Sequence, residues 1–346
     1  MPAIRITDLP APPAGREGWP WTIGTEPLPP LMPDGRAWPR ITIVTPSYNQ
    51  GRYIEETIRS VLLQGYPELE YIILDGGSKD DTVSILQRYA PFITHWRSTK
   101  DRGQADAVNQ GLALSTGEWV GWQNSDDYYE SGALQQVAQN ALKADTAPDV
   151  YYGQVRLVEA DSKHTGEYPT GPFDLSRMLP WANMFNQSMF FSRRVIEEGW
   201  RIDESLCHYV DHDLFWRLIL AGKKFEHLPE VSASFRLHGE AKGSTQHEIA
   251  AHELHALYMR LFHEPKLPAA IRALALSSMR GNCLDQFGKS RWALFRAFAA
   301  DIAQQAGWRG LGIGLMGRRL AVKLGAGNID RARRLTRLFK GRANAA

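Results

Sequence analysis

The feature that most constrains the fold is a regular alternation of short apolar runs with amphipathic segments in the first third of the chain. The runs are ITIVT (41–45), LEYIILD (69–75), FITHW (92–96) and GEWVGWQ (117–123). Runs of this kind predict β-strands that are covered on both faces. After the first run, Ile54, Ile58 and Val61 recur at helical spacing. Strands that alternate with helices predict right-handed crossovers and a mostly parallel α/β sheet.

Polar clusters follow three of these predicted strands. They read PSYN (46–49), DGGS (75–78) and NSDD (124–127). Because the carboxyl ends of parallel strands meet at one edge of the sheet, and ligands bind outside that edge, we expect the clusters to share a site. Any one of them alone could be a turn with satisfied hydrogen bonds, and for Asp75 that reading is strong.

The cluster NSDD ends in two adjacent carboxylates, Asp126 and Asp127. Like charges repel, so such a pair is costly unless a cation lies beside it. Carboxylate oxygens suit Mg²⁺ or Mn²⁺, which keep several waters and commonly bind a diphosphate as well. The alternative is an exposed acidic turn that caps the next helix. On the residues alone, both readings stay open.

Composition divides the chain into three parts. Residues 1–39 are rich in proline and tryptophan and predict an irregular N-terminal extension anchored by its tryptophans. Residues 40–240 carry the α/β pattern, and residues 241–346 predict a helical C-terminal region with a basic tail. The formal net charge is only +2, which gives no reason to expect nucleic acid as a partner.

The location of the protein is predicted from its cysteines and its apolar segments. The two cysteines, Cys207 and Cys283, suggest no disulfide framework, and no apolar run has the length of a signal peptide core or of a membrane span. We therefore expect a cytoplasmic protein. The basic tail could form an amphipathic helix at the inner face of the membrane, or it could be a solvated or disordered end.

The ordered motifs TIVTPSYNQGRYIEETIRSVLLQGY, ILDGGSKDDT and GQADAVNQGLALSTGEWVGWQNSDD resemble the family 2 glycosyltransferases over residues 40–238. The resemblance implies a GT-A fold, which is Rossmann-like with flanking helices, here followed by a helical extension. It also implies an inverting, metal-dependent hexosyltransferase that uses Mg²⁺ or Mn²⁺. We expect a non-processive enzyme, because the sequence lacks the Gln-x-x-Arg-Trp motif and the membrane spans of processive polysaccharide synthases. Its donor would be a nucleoside-diphosphate sugar, with a UDP-sugar favoured. Its acceptor would be a saccharide or lipid-linked hydroxyl in surface polysaccharide or glycoconjugate synthesis.

The resemblance also implies roles for individual residues. The nucleotide-sugar would contact Pro46, Tyr48, Asn49, Asp75, Gln104, Asp106, Asn124 and Asp126, the last at the ribose. Asp127 and His238 would hold the metal, and Arg236 and Lys242, the latter outside the residues that the structure describes, would offset phosphate charge. Asp211 would be the catalytic base, and the acceptor side would contain Trp181, Asn186, Gln187, Ser188 and Asp213. Alternatively, Asp211 and Asp213 only favour a helix N-terminus, and Trp181 only packs in a core.

Two positions depart from the family pattern. Gly76 stands where the family often has a second aspartate that reads the base, and Asn124 stands at the first carboxylate position of the Asp-x-Asp motif. The identity of the donor base is therefore open. A sugar nucleotidyltransferase is disfavoured because the first polar cluster is not a glycine-rich, arginine-containing loop. A non-catalytic nucleotide-sugar-binding protein is disfavoured because Asp127, Asp211 and His238 all occur.

Overall fold

The computed structural model describes residues 3–143, 147–168, 170–179, 184–241 and 246–323. The chain forms two compact units. Unit 1 comprises Met1–Asp174 and Ala182–Thr245, and unit 2 comprises Leu175–Trp181 and Gln246–Ala346. The N-terminal residues thus belong to the same unit as the predicted α/β region.

Unit 1 is built around a sheet of nine strands within the described residues. The strands are β1 (Ile41–Ser47), β2 (Leu69–Asp75), β3 (His95–Ser98), β4 (Trp119–Trp122), β5 (Tyr128–Tyr129), β6 (Val150–Glu159), β7 (His164–Tyr168), β8 (Met189–Ser192) and β9 (Phe225–Leu237). Their order is β3-β2-β1-β4-β8-β6-β9-β5, with β7 paired to β6. The strands β3, β2, β1 and β4 are parallel, whereas β8 runs antiparallel to both β4 and β6.

Helices connect the strands of unit 1 and make up most of unit 2. Unit 1 contains α1 (Ile54–Leu62), α2 (Thr82–Tyr89), α3 (Gln104–Leu114), α4 (Ala133–Lys143), α5 (Arg193–Glu197) and α6 (Val210–Leu220). Unit 2 contains α7 (His247–His263), α8 (Ala269–Gly288) and α9 (Trp292–Lys323). The backbone of α9 leaves helical geometry at Gly307 and Gly312. The predicted α/β fold with a helical C-terminal extension is confirmed.

The third predicted strand was misplaced by a few residues. Residues 90–92 form a short 3-10 helix with Pro91 in its first turn, and the strand begins only at His95. Proline fixes its own φ angle and has no amide hydrogen to donate to a strand neighbour, so it suits the start of a helical turn better than a central strand. The apolar run therefore marked the correct region and the wrong boundary.

Close packing of α3 on the sheet depends on a glycine. A β-carbon at Gly111 would lie 2.2 Å from Cγ1 of Val44 in β1, and Val44 is fully buried. Glycine lets the helix backbone approach the strand at a distance that a larger residue would prevent. This contact sets α3 against the strand whose end carries the first polar cluster.

The N-terminal extension is anchored by a buried arginine of α1, in addition to its own tryptophans. Arg59 donates hydrogen bonds to the carbonyl oxygens of Pro10, Pro20 and Trp21, and to the hydroxyl of Tyr89. The Trp21 ring is buried and lies under the guanidinium group, 5.6 Å from it. The prediction that tryptophans anchor this segment is confirmed, and Arg59 supplies the polar part of the attachment.

In the described part of the chain, no helix combines the length and the apolarity that a bilayer crossing needs. The basic residues after Lys323 lie outside the described residues. The amphipathic tail therefore stays a prediction.

Candidate active site

The parallel register of β1, β2 and β4 brings the three polar clusters to one edge of the sheet. Ser47 at the end of β1 pairs with Asp75 at the end of β2, and Val44 pairs with Trp122 at the end of β4. The amides of Gly76 and Gln123 then donate to the carbonyl oxygens of Ser47 and Val44, at 2.9 Å each. β2 and β3 lie on one side of β1, and β4 lies on the other side. A crevice opens at the carboxyl end of β1, where the strand order reverses.

Asp127 is an enclosed carboxylate at this edge, with 1% of its surface exposed. One oxygen accepts the backbone amide of Arg236 at 2.8 Å. The other accepts the side-chain amides of Gln187 at 2.7 Å and Asn124 at 3.2 Å. Burial, and then the charge of Asp126, raise the pKa of Asp127 to about 7, while the three hydrogen bonds act in the opposite direction. Asp127 therefore joins three segments of the chain.

Asp126 faces outward and pairs with a histidine. Its Oδ2 lies 3.1 Å from Nε2 of His238, and its side chain is 23% exposed, compared with 3% for His238. The His238 ring packs against Tyr53, with 4.8 Å between ring centroids. The structure thus brings together a carboxylate and an imidazole that are 112 residues apart in the sequence.

Arg236 is buried beneath this pair and does not face the crevice. Its Nε donates to the carbonyl oxygen of Asp126 at 2.7 Å, and its Nη2 donates to Glu56 at 2.9 Å. Its Nη1 donates to Ser162 Oγ at 2.8 Å, and Tyr53 lies below the guanidinium group at 4.9 Å. The expectation that Arg236 offsets phosphate charge was wrong, because this guanidinium group is 1% exposed and hydrogen-bonded within the protein.

The second cluster is organised by Asp75. Its carboxylate accepts hydrogen bonds from the amides of Gly77 and Ser78 and from the hydroxyls of Ser78 and Ser98. The side chain is 1% exposed. Four donors from the turn and from β3 therefore occupy the carboxylate that the resemblance placed in the nucleotide pocket.

The first cluster leaves an aromatic ring in solvent. Tyr48 is 60% exposed, whereas Pro46 lies inside β1 opposite Leu74. Asn49 has a φ angle of 52°, a region that asparagine tolerates better than most residues. Its amide donates to Ser78 Oγ at 2.7 Å and its Oδ1 accepts the Lys79 amide at 2.8 Å. Asn49 therefore ties the first cluster to the second.

The start of α3 contributes Gln104 and Asp106. Gln104 Nε2 donates to Asn124 Oδ1 at 2.9 Å, and the Trp122 indole donates to the same oxygen at 3.0 Å. Asp106 accepts the amide and the guanidinium group of Arg102, and the guanidinium hydrogen bond holds the pKa of Asp106 well below its usual range. Gln104 thus joins the NSDD cluster, while Asp106 is paired with Arg102.

The predicted acceptor-side residues are only partly connected to this site. Gln187 reaches Asp127, and it lies with Asn186 and Ser188 in a buried 3-10 turn before β8. Within the described residues, Asn186 Nδ2 and Gln187 Oε1 are buried without a hydrogen-bond partner. Trp181 lies outside the described residues.

Asp211 and Asp213 lie in the first turn of α6. Asp211 Oδ1 accepts the His212 amide at 2.8 Å and lies 3.0 Å from the Nδ1 of the same residue, and its side chain is 17% exposed. Asp213 is buried and accepts Arg217 Nε at 2.6 Å. No hydrogen bond or ion pair between described residues joins Asp211 to Asp126, Asp127 or His238.

A metal ion could be held at Asp126 and His238. Among the described residues, no group of three acidic, histidine or cysteine side chains forms a metal-binding cluster. A hard divalent ion that keeps its waters and binds a diphosphate needs only one or two protein ligands. A partly exposed carboxylate beside an imidazole meets that requirement, whereas both oxygens of Asp127 are occupied by N–H donors.

The chain matches a known family model at these residues. Positions 42–200 fit the description "Glycosyl transferase family 2", a segment that includes all three polar clusters. Residues 42–200, just under half of the chain, therefore match the family 2 glycosyltransferases. The chain also resembles curated glycosyltransferases in sequence and solved structures in fold.

Two curated relatives illustrate the similarity. The chain is 29% identical to a chondroitin synthase of Escherichia coli over 208 residues, which cover 58% of this chain and 29% of that protein. It is 34% identical to a PGL/p-HBAD biosynthesis glycosyltransferase of Mycobacterium tuberculosis over 164 residues, which cover 45% of this chain and 60% of that protein. The chain thus spans less than two thirds of the length of these relatives.

Two solved structures show the same fold. The structure of residues 1–349 of TarS from S. aureus, in complex with UDP-GlcNAc, aligns with a TM-score of 0.62 at 17% identity, covering 87% of this chain and 92% of that one. The mannosyltransferase PcManGT of Pyrobaculum calidifontis, in complex with GDP-Man and Mn²⁺, aligns with a TM-score of 0.53 at 20% identity, covering 90% and 86%. The predicted GT-A fold is confirmed.

Proposed function

We propose that this chain transfers a sugar from a nucleoside-diphosphate sugar to an acceptor hydroxyl with inversion at the anomeric carbon. The observation that carries the proposal is the Asp126–His238 pair at the carboxyl edge of the sheet, held from below by Arg236. The ligands named for TarS and PcManGT, UDP-GlcNAc and GDP-Man, support a nucleotide-sugar donor for this chain as well.

We assign the metal-binding role to Asp126 and His238, in place of the sequence-based choice of Asp127 and His238. Asp126 is the carboxylate with exposed surface, while Asp127 is enclosed by three donors. A bound Mg²⁺ or Mn²⁺ would supply positive charge that stabilises the leaving nucleoside diphosphate. Asp127 then serves to fix the loop, because it connects Asn124, Gln187 and the Arg236 backbone.

The nucleoside would lie along the ends of β1 and β2. Tyr48 offers an exposed ring on which a base or ribose can stack. Gln104 and Asn124 supply amide groups beside the diphosphate end of the crevice. Asp75 stabilises the turn, because its buried carboxylate already accepts four hydrogen bonds within the protein.

Asp211 is proposed as the general base. Its Oδ1 is engaged by His212, and no described contact involves its Oδ2. This oxygen could take the proton from the acceptor hydroxyl as that oxygen bonds to the anomeric carbon and the bond to the diphosphate breaks. Attack on the face opposite the leaving group inverts the configuration of the sugar.

The acceptor would be a saccharide or a lipid-linked sugar in polysaccharide or glycoconjugate synthesis. The name of the E. coli relative, a chondroitin synthase, supports the polysaccharide class. Cytoplasmic location and peripheral membrane contact stay predictions.

The test is release of nucleoside diphosphate from a panel of nucleotide-sugars, measured with MnCl₂ and with EDTA. We expect Asp126→Asn and Asp211→Asn to lose about 100-fold or more of the wild-type rate, while Asp285→Asn, a surface change in α8, keeps it. Equal rates for wild type and Asp211→Asn would contradict the assigned base. Nucleotide-sugar binding without any turnover by the wild type would favour a non-catalytic binding protein.

A further inference from the structure

The strand that follows the NSDD cluster, β5, lies at the end of the sheet, next to β9. The amide of Glu130 donates to the carbonyl oxygen of Ser232 in β9 at 3.0 Å. Because alternate residues of an antiparallel strand direct their backbone groups to opposite sides, the N–H and C=O of Tyr129 point away from β9. Tyr129 is fully buried, so these two groups need partners that do not come from β9.

Helix α1 and the N-terminal extension supply those partners. The Tyr129 amide donates to Ser60 Oγ at 3.1 Å, and the Tyr129 carbonyl oxygen accepts the indole N–H of Trp19 at 2.8 Å. One turn earlier on α1, Thr57 Oγ1 donates to the carbonyl oxygen of Asp127 at 2.6 Å. This segment of main chain is therefore held by β9 on one side and by α1 and the extension on the other.

The position of Trp19 is itself fixed by α1. The buried side chain of Arg59 donates to the carbonyl oxygens of Pro20 and Trp21, the two residues that follow Trp19. The Trp19 ring packs against the hydrophobic core of unit 1. The extension lies outside residues 42–200, which match the family model. The hydrogen bond from Trp19 to β5 is thus a contact between a segment outside the match and the NSDD region inside it.

The pairing of β5 with β9 sets the separation of the two proposed metal ligands. Asp126 lies two residues before β5, and His238 directly follows the last residue of β9. A displacement of β5 along or away from β9 would therefore move Asp126 Oδ2 relative to His238 Nε2, which lies 3.1 Å from it. Mg²⁺ needs near-ideal octahedral geometry, so such a displacement weakens the binding of the ion.

We propose that the N-terminal extension is a positioning element of the active site, an inference that rests on the proposed function. Trp19, together with Thr57 and Ser60 of α1, fixes the outer edge of β5 and so holds Asp126 at His238. All three residues act through the main chain and not on the reactants. Their loss therefore weakens the metal-dependent part of nucleotide binding.

The test is calorimetric titration of UDP, GDP, CDP and ADP into the full chain, once with MnCl₂ and once with EDTA. For each nucleotide that binds, the ratio of the two affinities measures the contribution of the metal. Trp19→Phe keeps an aromatic ring in the core and removes the indole donor. We expect the ratio to fall about 10-fold, which is about 1.4 kcal/mol and the size of one hydrogen bond. The affinity in EDTA should keep its wild-type value.

Two variants at Thr57 separate the hydrogen bond from packing, and they decide the matter if Trp19→Phe does not fold. Thr57→Val replaces the hydroxyl by a methyl group, so we expect a fall of about 10-fold in the affinity ratio. Thr57→Ser retains the hydroxyl and should keep the wild-type ratio. Equal ratios for Thr57→Val and Thr57→Ser would contradict the positioning of β5 by α1.

Trp38→Phe is the matched control. Trp38 lies in the same extension, is buried, and donates its indole N–H to the carbonyl oxygen of Pro29 at 2.8 Å. Trp38→Phe and Trp19→Phe lose the same kind of hydrogen bond, so both should lower the melting temperature in EDTA. Only Trp19→Phe should lower the affinity ratio, because Pro29 belongs to the extension and not to β5.

The failures of the two proposals are distinguishable. If the wild type binds a nucleoside diphosphate more tightly with MnCl₂ than with EDTA, and Trp19→Phe keeps that ratio, the role of the extension is refuted and the proposed function stands. The same holds if Trp38→Phe lowers the ratio as much as Trp19→Phe. If the wild type binds none of the four nucleotides with MnCl₂, or binds them equally with MnCl₂ and EDTA, the metal-dependent function is refuted together with this inference.

Discussion

The buried ion pair between Arg236 and Glu56 allows a quantitative test of how the site is held together. The two side chains are 1% and 4% exposed, and Nη2 lies 2.9 Å from the Glu56 carboxylate. We consider Arg236→Met, which keeps a long apolar stem and removes the charge. Glu56 then retains only the Ser162 hydroxyl as a hydrogen-bond donor among its described contacts, at 2.8 and 2.9 Å.

The size of the effect follows from the uncompensated charge. Removing one partner of a buried ion pair costs about 3–5 kcal/mol, because the remaining charge stays out of water. This is a large part of the 5–15 kcal/mol by which proteins are typically stable. For a unit of about 150–250 residues, each kcal/mol lowers the melting temperature by about 2–4 °C, so we expect a decrease of about 6–20 °C.

The assay is thermal and urea unfolding of the full chain, with Arg36→Met as the control. Arg36 pairs with Asp34 at 2.7 Å, but its side chain is 61% exposed, and a solvent-exposed pair of this kind contributes little. Adding Glu56→Gln to Arg236→Met removes the unpaired charge, so the double variant should be more stable than Arg236→Met alone. The reasoning is refuted if Arg236→Met and Arg36→Met have the same melting temperature within error. It is also refuted if adding Glu56→Gln to Arg236→Met does not raise the melting temperature.

Two further predictions concern packing and pH. Gly111→Ala should lower the stability of unit 1 by about 1–3 kcal/mol, because its β-carbon would overlap Val44. Gly281→Ala, in an open helical position, should raise stability by up to about 1 kcal/mol. Urea unfolding in which both variants change stability in the same direction would contradict this. Burial lowers the pKa of His255 against the opposing effect of Asp301. The unfolded chain therefore takes up a proton on His255 at a higher pH than the folded chain does. The free energy of unfolding should fall as the pH drops below about 6.5. The melting temperature should decrease less between pH 7.5 and pH 5.5 for His255→Gln than for the wild type. If the melting temperature depends on pH equally in both proteins, His255 is excluded as the cause.

Much of the fold could be predicted from the sequence because strands, helices and turns leave local signals. The apolar runs at 41–45 and 69–75 lie inside β1 and β2, and the helical spacing of Ile54, Ile58 and Val61 marks α1. Periodicity depends only on neighbouring residues, so it can be read without the rest of the chain. The polar residues at strand ends could be placed on one edge for the same reason, since parallel strands allow only that arrangement.

Only the tertiary structure shows what each carboxylate does. In the sequence, Asp126 and Asp127 are equivalent neighbours. In the folded chain, Asp127 is enclosed by hydrogen-bond donors from Arg236 and Gln187, and Asp126 lies beside His238. These partners are 60 or more residues away, and no local pattern encodes such pairings. Exposure and hydrogen bonding, which decide the role of a charged group, are properties of the packed chain.

The same distinction applies to Glu56, Arg236 and Asp101. Glu56 reads as a charged residue of an amphipathic helix, yet it is buried with an arginine 180 residues further on. Asp101 reads as a loop residue, and only the packing of two loops places it on Gly76. The sequence thus determined the elements and the chemical groups available, whereas the folded chain decided which groups meet, because burial and long-range contact arise only when distant segments pack together.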